Sequence, residues 1–310
     1  MNSAPTVRKR SSAKQFAAAV TRAVSYLSPA ALLFSTGLLI RRLRHRIERN
    51  MKKESLCRLL DFAILSFRPA KTTRIVKWEG HQARLCLRVN DPMHYDLVLG
   101  IHEPLVRDFL AATLKPGMTV FDIGSNVGYF TIFSALLIGS QGKVIAIEGD
   151  PTVAALVRDN AALNGLSNVT VIAGVASRAN GTMPFGRGKA SGWSGLHAQF
   201  AEEWIEVSAH TVDSLVEQLK LDRMDFVKID VECSEEEVIS GIMQSLRHFA
   251  PAILVELHPG AVSPLPALAA ANYRVRCVES GDGPAHYFAE LITENACDPS
   301  AARTPGSGTQ

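Results

Sequence analysis

Along this chain short apolar runs alternate with stretches of helical period, and the alternation is densest from Val120 onward. Val120-Phe121, Val144-Ile145-Ala146-Ile147, Val169-Thr170-Val171-Ile172, residues 225–230 and Ile253-Leu254-Val255 lack the strict polar alternation of a half-solvated strand. That predicts strands buried on both faces of a parallel sheet. Helices are expected between them: one after Gly128, one from Pro151 to a glycine stop at Asn164-Gly165, one capped by Thr211 and running to Leu219, and one over residues 235–249. Residues 273–278 and 286–291 predict an antiparallel edge. Upstream, residues 73–78 and 83–89 alternate around Glu79-Gly80 as a hairpin. Helical spacing over residues 43–67 ends at Arg68-Pro69, and a helix over residues 103–114 closes at Lys115-Pro116-Gly117. Residues 177–200, rich in Gly, Ser and Asn, read as loops with short strands. The fold class is therefore α/β, a doubly wound sheet with an antiparallel edge strand, preceded by a helix and a β-hairpin.

Charge divides the chain further. Residues 1–47 hold nine Lys or Arg and no acid, so the net charge of +3 leaves residues 48–310 at −6. An acidic body argues against a nucleic-acid footprint. Residues 23–40 are uncharged but broken by Ser25, Ser28, Pro29, Ser35, Thr36 and Gly37, and Arg8-Lys9-Arg10 and Arg41-Arg42 flank them. Three readings stay open: a membrane anchor, a targeting peptide, or a basic helix lying on anionic lipid through residues 8–46. Five scattered cysteines without metal-like pairing fit free thiols in a reducing compartment, hence a cytoplasmic location. The expected division is a basic extension over 1–47, an accessory helix and hairpin over 48–100, a main domain over 101–297 and a low-complexity tail over 298–310.

Candidate chemistry concentrates at predicted strand ends. Val120-Phe121-Asp122-Ile123-Gly124-Ser125-Asn126-Val127-Gly128-Tyr129-Phe130 reads as strand, glycine turn and helix start, and the next strand ends in Glu148. Such a unit holds a nucleoside at the carboxyl edge of a sheet, with the second acid accepting from the ribose hydroxyls. The spacing is Gly-x-x-x-Gly rather than the dinucleotide Gly-x-Gly-x-x-Gly, and an acid precedes the first glycine. A diphosphate is repelled there and a cationic sulfonium is not, which favours S-adenosylmethionine over NAD. Asp122, Gly124, Asn126, Gly128 and Glu148 are the candidate cofactor contacts.

The run Lys228-Ile229-Asp230-Val231-Glu232-Cys233 places two carboxylates two residues apart, on one face if the strand continues. They could share a proton or ligate a divalent ion, although no metal ligand set is assigned. The next strand ends Glu256-Leu257-His258-Pro259, and His258 is a natural base near neutral pH. Asp230, Glu232 and His258 are the catalytic candidates. Residues 186–200, with Trp193, are expected to form part of an acceptor wall.

Taken in order, Val120–Phe130, Ile147-Glu148, Thr211-Val212-Asp213-Ser214-Leu215, residues 225–235 and residues 254–258 resemble the FkbM-type methyltransferases over roughly residues 72–295. The resemblance implies a class I, Rossmann-like methyltransferase that uses S-adenosylmethionine to methylate a hydroxyl of a sugar, polyketide or similar metabolite. It implies a small-molecule or glycan acceptor rather than nucleic acid. The family commonly has Gly-Ala after the final Glu of Val-Lys-Ile-Asp-Val-Glu, where this chain has Cys233-Ser234. Its usual proline after the ribose acid is here Gly149. Two other classes stay in view: a nucleic-acid methyltransferase, disfavoured by the acidic body and by the lack of an Asn/Asp-Pro-Pro-Tyr motif, and a non-catalytic protein that retains the fold.

Overall fold

The computed structural model describes residues 28–51, 54–78, 80–199, 201–280 and 284–292. Helices α1 (Pro29–Met51) and α2 (Glu54–Leu65) lead into the hairpin β1 (Lys71–Trp78) and β2 (His81–Arg88), then α3 (Pro92–Leu99) and α4 (Pro104–Thr113). The alternating part begins with β3 (Thr119–Ile123), α5 (Tyr129–Ile138), β4 (Lys143–Glu148), α6 (Pro151–Leu163) and β5 (Val169–Ala173). Three further strands follow, β6 (Val175–Ala176), β7 (Gly181–Arg187) and β8 (Glu203–His210). The chain continues through α7 (Val212–Gln218), β9 (Phe226–Ile229), α8 (Glu235–Ser240), α9 (Met243–Phe249) and β10 (Ala252–Leu257). It closes with α10 (Leu265–Ala270), β11 (Tyr273–Glu279) and β12 (Ala285–Leu291).

Seven strands form one sheet in the order β11-β12-β10-β9-β3-β4-β5. From β3 the chain moves outward to β4 and β5, then returns to β9 on the other side of β3. The C-terminal ends of β3 and β9 thus flank a topological switch point, where open α/β sheets bind ligands. β12 runs antiparallel, as expected of the last strand, but lies between β10 and β11 rather than outermost. Helix α10 carries the chain past that gap to the edge, and the short link back from β11 permits only antiparallel pairing.

Successive strand residues divide between two cores, which explains the uninterrupted apolar runs. Val120, Val144, Phe226 and Leu254 face one core, and Phe121, Ile145, Val227 and Val255 face the other. The first core also takes Trp78, Leu85 and Leu87 from the hairpin, Ile64 from α2 and Phe34 from α1. Residues 48–100 therefore have no separate core. The boundary expected at residue 47 falls inside α1, which is bound to the body by Phe34 stacked on Tyr95 and by the buried Arg41 between Asp61 and Asp96. Among the described residues no helix is long and apolar enough to cross a membrane. Residues 1–27 of the basic segment and the tail over 298–310 lie outside the described residues.

Two predicted elements differ. The helix expected over residues 235–249 breaks at Gly241, which lies so close to the Ser177 carbonyl that a side chain there would collide with it. Residues 177–200 contribute β7 to a separate three-stranded sheet of order β6-β8-β7, which stands over the switch point.

Candidate active site

β3 ends one residue before Gly124, whose φ of 81° is left-handed and whose missing side chain leaves room for the Asp230 carbonyl. The turn that follows donates the Asn126 N–H to Glu148 Oε2 at 2.8 Å, and the Asp150 N–H reaches Oε1 at 2.9 Å. Two backbone donors thus hold the Glu148 carboxylate at the end of β4. Burial dominates its proton affinity, and against these two bonds still pushes it up to about 7.

Gly124, Asn126 and Glu148 line a cleft of about 650 Å3 together with Asp230, Val231, Glu232 and Ser234. Phe185 of β7 covers it, seated against Gly149, where any side chain would overlap its ring. A smaller pocket of about 340 Å3 adjoins behind Asn126, walled by His102, Glu103, Lys228 and Asp230.

Asp122 and Gly128 line neither cavity. Asp122 is 2% exposed, and its Oδ2 accepts from Thr131 Oγ1 at 2.5 Å. Its carboxylate ties β3 to α5, with burial raising its pKa. Gly128 packs on Val157 with φ of 83° and lets α5 start against α6. Both frame the turn.

The catalytic candidates converge, though not as a continuing strand. β9 stops at Ile229, and Glu232 and Cys233 take left-handed φ values of 50° and 74°. The expected shared face for Asp230 and Glu232 is therefore absent, and each has its own partner. Asp230 accepts from the buried Lys228 Nζ at 2.9 Å. Burial opposes its charge, but the field and hydrogen bond of Lys228 bring it down to about 2. Lys228 is held protonated against burial by Asp230, Asp122 and Glu103, and sits 5.0 Å over the Phe130 ring.

Glu232 meets His258 Nε2 at 3.2 Å, while His258 Nδ1 lies 2.8 Å from Glu235 Oε1. Burial works against the imidazolium, but the Glu235 bond and the Glu232 charge raise it to about 9. Burial raises Glu232 to about 7, with His258 opposing. Trp193 is 43% exposed and outside the cleft lining, whereas its neighbours Ser191, Gly192, Ser194, Gly195 and Leu196 line it.

Sequence reasoning missed Lys228, Glu235, Glu256 and Glu103. Lys228 had a signal, a charge inside an apolar strand. Glu235 had none, being one of three consecutive glutamates at a helix start, of which it alone is fully buried.

A protein-family model described as methyltransferase FkbM domain matches residues 122–275. A protein-L-isoaspartate O-methyltransferase of Methanococcoides burtonii is 37% identical over 83 residues, which are 26% of this chain and 40% of that protein. The chain thus spans well under half the length of that relative. A hexuronic acid methyltransferase of Haloferax volcanii is 23% identical over 207 residues, covering 67% of this chain and 83% of its own. The solved methyltransferase FkbM of Methylobacillus flagellatus is 15% identical with a TM-score of 0.41, over 64% of this chain and 54% of its own.

Proposed function

Given that this chain belongs to the methyltransferase FkbM family, we propose that it transfers a methyl group from S-adenosylmethionine to a hydroxyl oxygen of a sugar, polyketide or similar metabolite. The observation that carries this reading is one cleft lined by Gly124, Asn126 and Glu148 together with Asp230 and Glu232. The wider match to a hexuronic acid methyltransferase supports a sugar-type acceptor.

The residues fit the cofactor. Glu148 keeps lone pairs beyond its two backbone donors for a ribose diol, and the buried Asn126 Oδ1 and Ser125 Oγ have no protein partner. The carboxylates of Glu103 and Asp230 around the smaller pocket suit a cationic end. Bound there, S-adenosylmethionine supplies an electrophilic methyl on a sulfonium.

Glu232 is the proton acceptor in this reading. It lines the cleft with its side chain 35% exposed, whereas His258 is more deeply set and outside the lining, and Asp230 is committed to Lys228. The acceptor O–H gives its proton to the Glu232 carboxylate as the oxygen forms the new O–C bond and the S–C bond breaks, leaving a neutral thioether. His258, fixed by Glu235, positions Glu232. Alignment of acceptor and donor contributes about 7–11 kcal/mol in well-oriented systems.

Calorimetric titration of the full chain with S-adenosylmethionine, S-adenosylhomocysteine and NAD tests the cofactor. Transfer of labelled methyl to hydroxylated acceptors, hexuronic acid glycosides first, tests the reaction. Preference for NAD overturns the first, and methyl appearing only on nitrogen or carbon overturns the second.

We propose separately the membrane-surface reading for residues 8–46, of which residues 28–46 are among the described residues. The outer face of α1 exposes Leu32, Leu39 and Leu43 beside Arg42, an apolar stripe with a basic flank suited to anionic lipid. Co-sedimentation with phosphatidylserine vesicles, weakened by Leu39→Ser with Leu43→Ser, is the expected result; equal recovery with neutral vesicles contradicts it.

A further inference from the structure

Beside the Lys228–Asp230 pair lies a second cluster, of which only Glu103 also borders the pocket proposed for the cationic end of the cofactor. Glu256 on β10 and His286 on β12 are direct cross-strand partners. Glu103, in a left-handed conformation with φ of 37° just before Pro104, reaches the same point. His286 is 5% exposed, and neither ring nitrogen has a hydrogen-bond partner; the buried Glu103 Oε2 has none either.

These orphaned atoms face one another across a gap. His286 Nε2 lies 3.6 Å from Glu256 Oε2 and 3.8 Å from Glu103 Oε2, too far for hydrogen bonds. Separations of 3.6 and 3.8 Å subtend tetrahedral-to-trigonal angles at an ion about 2.2 Å from each donor, the long end of the usual metal–oxygen range. One donor atom from each residue lies within 4.8 Å of the others. Behind the ring, Nδ1 faces Glu279 Oε2 at 3.6 Å. A carboxylate there is the usual companion of a metal-bound imidazole.

We propose that Glu103, Glu256 and His286 form a binding site for one divalent first-row transition-metal ion, such as Mn2+ or Zn2+. One imidazole nitrogen with two carboxylates suits these ions better than Mg2+ or Ca2+, which favour all-oxygen shells. A neighbouring trio, Asp230, Glu256 and His258, has the same spacing. Two of its members are already engaged, Asp230 by Lys228 and His258 by Glu235. Glu256 belongs to both trios, so the choice rests on His286 and Glu103 Oε2, which have no hydrogen-bond partner among the described residues. Through Glu256, whose carboxyl hydrogen-bonds Asp230, it would touch the cleft without entering it.

The site shares Glu103 with the pocket proposed for the cofactor, and its test needs no turnover. Untagged full-length protein, stripped with chelator and dialysed, is titrated with Mn2+ under electron paramagnetic resonance and with Zn2+ by calorimetry. One ion per chain is expected. Glu103→Gln and His286→Asn should each weaken binding at least tenfold, with circular dichroism confirming that they fold. Glu279→Gln, at a partly exposed position that spares the core, should weaken it several-fold. Lack of binding by the wild-type chain, or unchanged affinity in folded variants, overturns the proposal. So does stoichiometric displacement of Mn2+ by S-adenosylhomocysteine, which would make the cluster a seat for the ammonium of the cofactor.

Discussion

Glu232 and His258 meet at 3.2 Å although the strand bearing the first ends at Ile229. A left-handed turn at Glu232 and Cys233, rather than strand geometry, brings them together. Glu235, fully buried behind the ring, fixes which nitrogen faces Glu232. Glu232→Gln is expected to lower kcat about 10²–10⁴-fold, the range of a lost general base. His258→Ala should lower it less and leave S-adenosylmethionine affinity unchanged. Calorimetry paired with single-turnover methyl transfer separates the two, and loss of affinity in His258→Ala would place the ring in the cofactor site instead.

Glu148 gives binding its own pH dependence. Burial raises its pKa to about 7, and ribose hydroxyls donate to its ionised form. Binding should therefore tighten as pH rises from 6 to 8 and release a proton below 7. The sign for folding is opposite: a carboxylate raised above its unfolded value favours the fold below about 4.5 and loses that contribution as pH rises through 7. In Glu148→Gln, affinity should fall and its pH dependence flatten; a slope equal to that of the wild type would assign the titration to another group.

Asp122 behaves differently from Glu148. Its bond to Thr131 joins β3 to α5 beneath the turn, so Asp122→Ala is expected to cost about 1–3 kcal/mol of stability by leaving the buried hydroxyl unpaired. Urea denaturation followed by circular dichroism measures this. An unchanged midpoint with abolished cofactor binding would show direct contact.

Cys233 holds a φ of 74° where the resembled family has glycine. Left-handed backbone costs a side-chain-bearing residue about 1–2 kcal/mol, and glycine returns part of that as unfolded-state entropy. Cys233→Gly should thus stabilise by about 0.5–1 kcal/mol in urea denaturation. A lower midpoint would mean that the thiol packs favourably enough to outweigh the strain.

Arg41 is enclosed by Asp61 and Asp96, so Arg41→Ala strands the poorly solvated Asp96 carboxylate, while Asp61 keeps only Arg44. The expected loss is about 3 kcal/mol, read from the same denaturation curves. Restoration by further replacing Asp61 and Asp96 with Asn distinguishes stranded charge from lost packing.

The sheet strands were legible because each is buried on both faces, so burial itself writes the apolar run, as in β3 and β9. Glu148 was legible for a related reason: it ends such a run. Helix α3 was not, since Pro92, His94, Tyr95 and Leu97 are all buried and leave no polar face to mark a period. β7 and β8 were obscured by Gly181, Pro184, Gly186 and alternating charges, which suit a small sheet with solvent on one side. The close approach of Gly241 to Ser177 joins residues far apart in sequence, and no local pattern carries that contact. The same limit hid Glu103, Glu256 and His286, which meet only because a strand pairing and a strained turn place them together.

The indole of Trp78 packs on Tyr129, Phe130 and Phe133 of α5, the helix that leads away from the cofactor turn. Its place cannot be taken by water without laying that aromatic face bare. The stretch that matches the family, residues 122–275, is accordingly shorter than the stretch that must fold together. Excising it would yield a fragment with an open aromatic wound beside its own ligand cleft, so the ancestral catalytic motif and the minimal foldable unit have different borders in this chain.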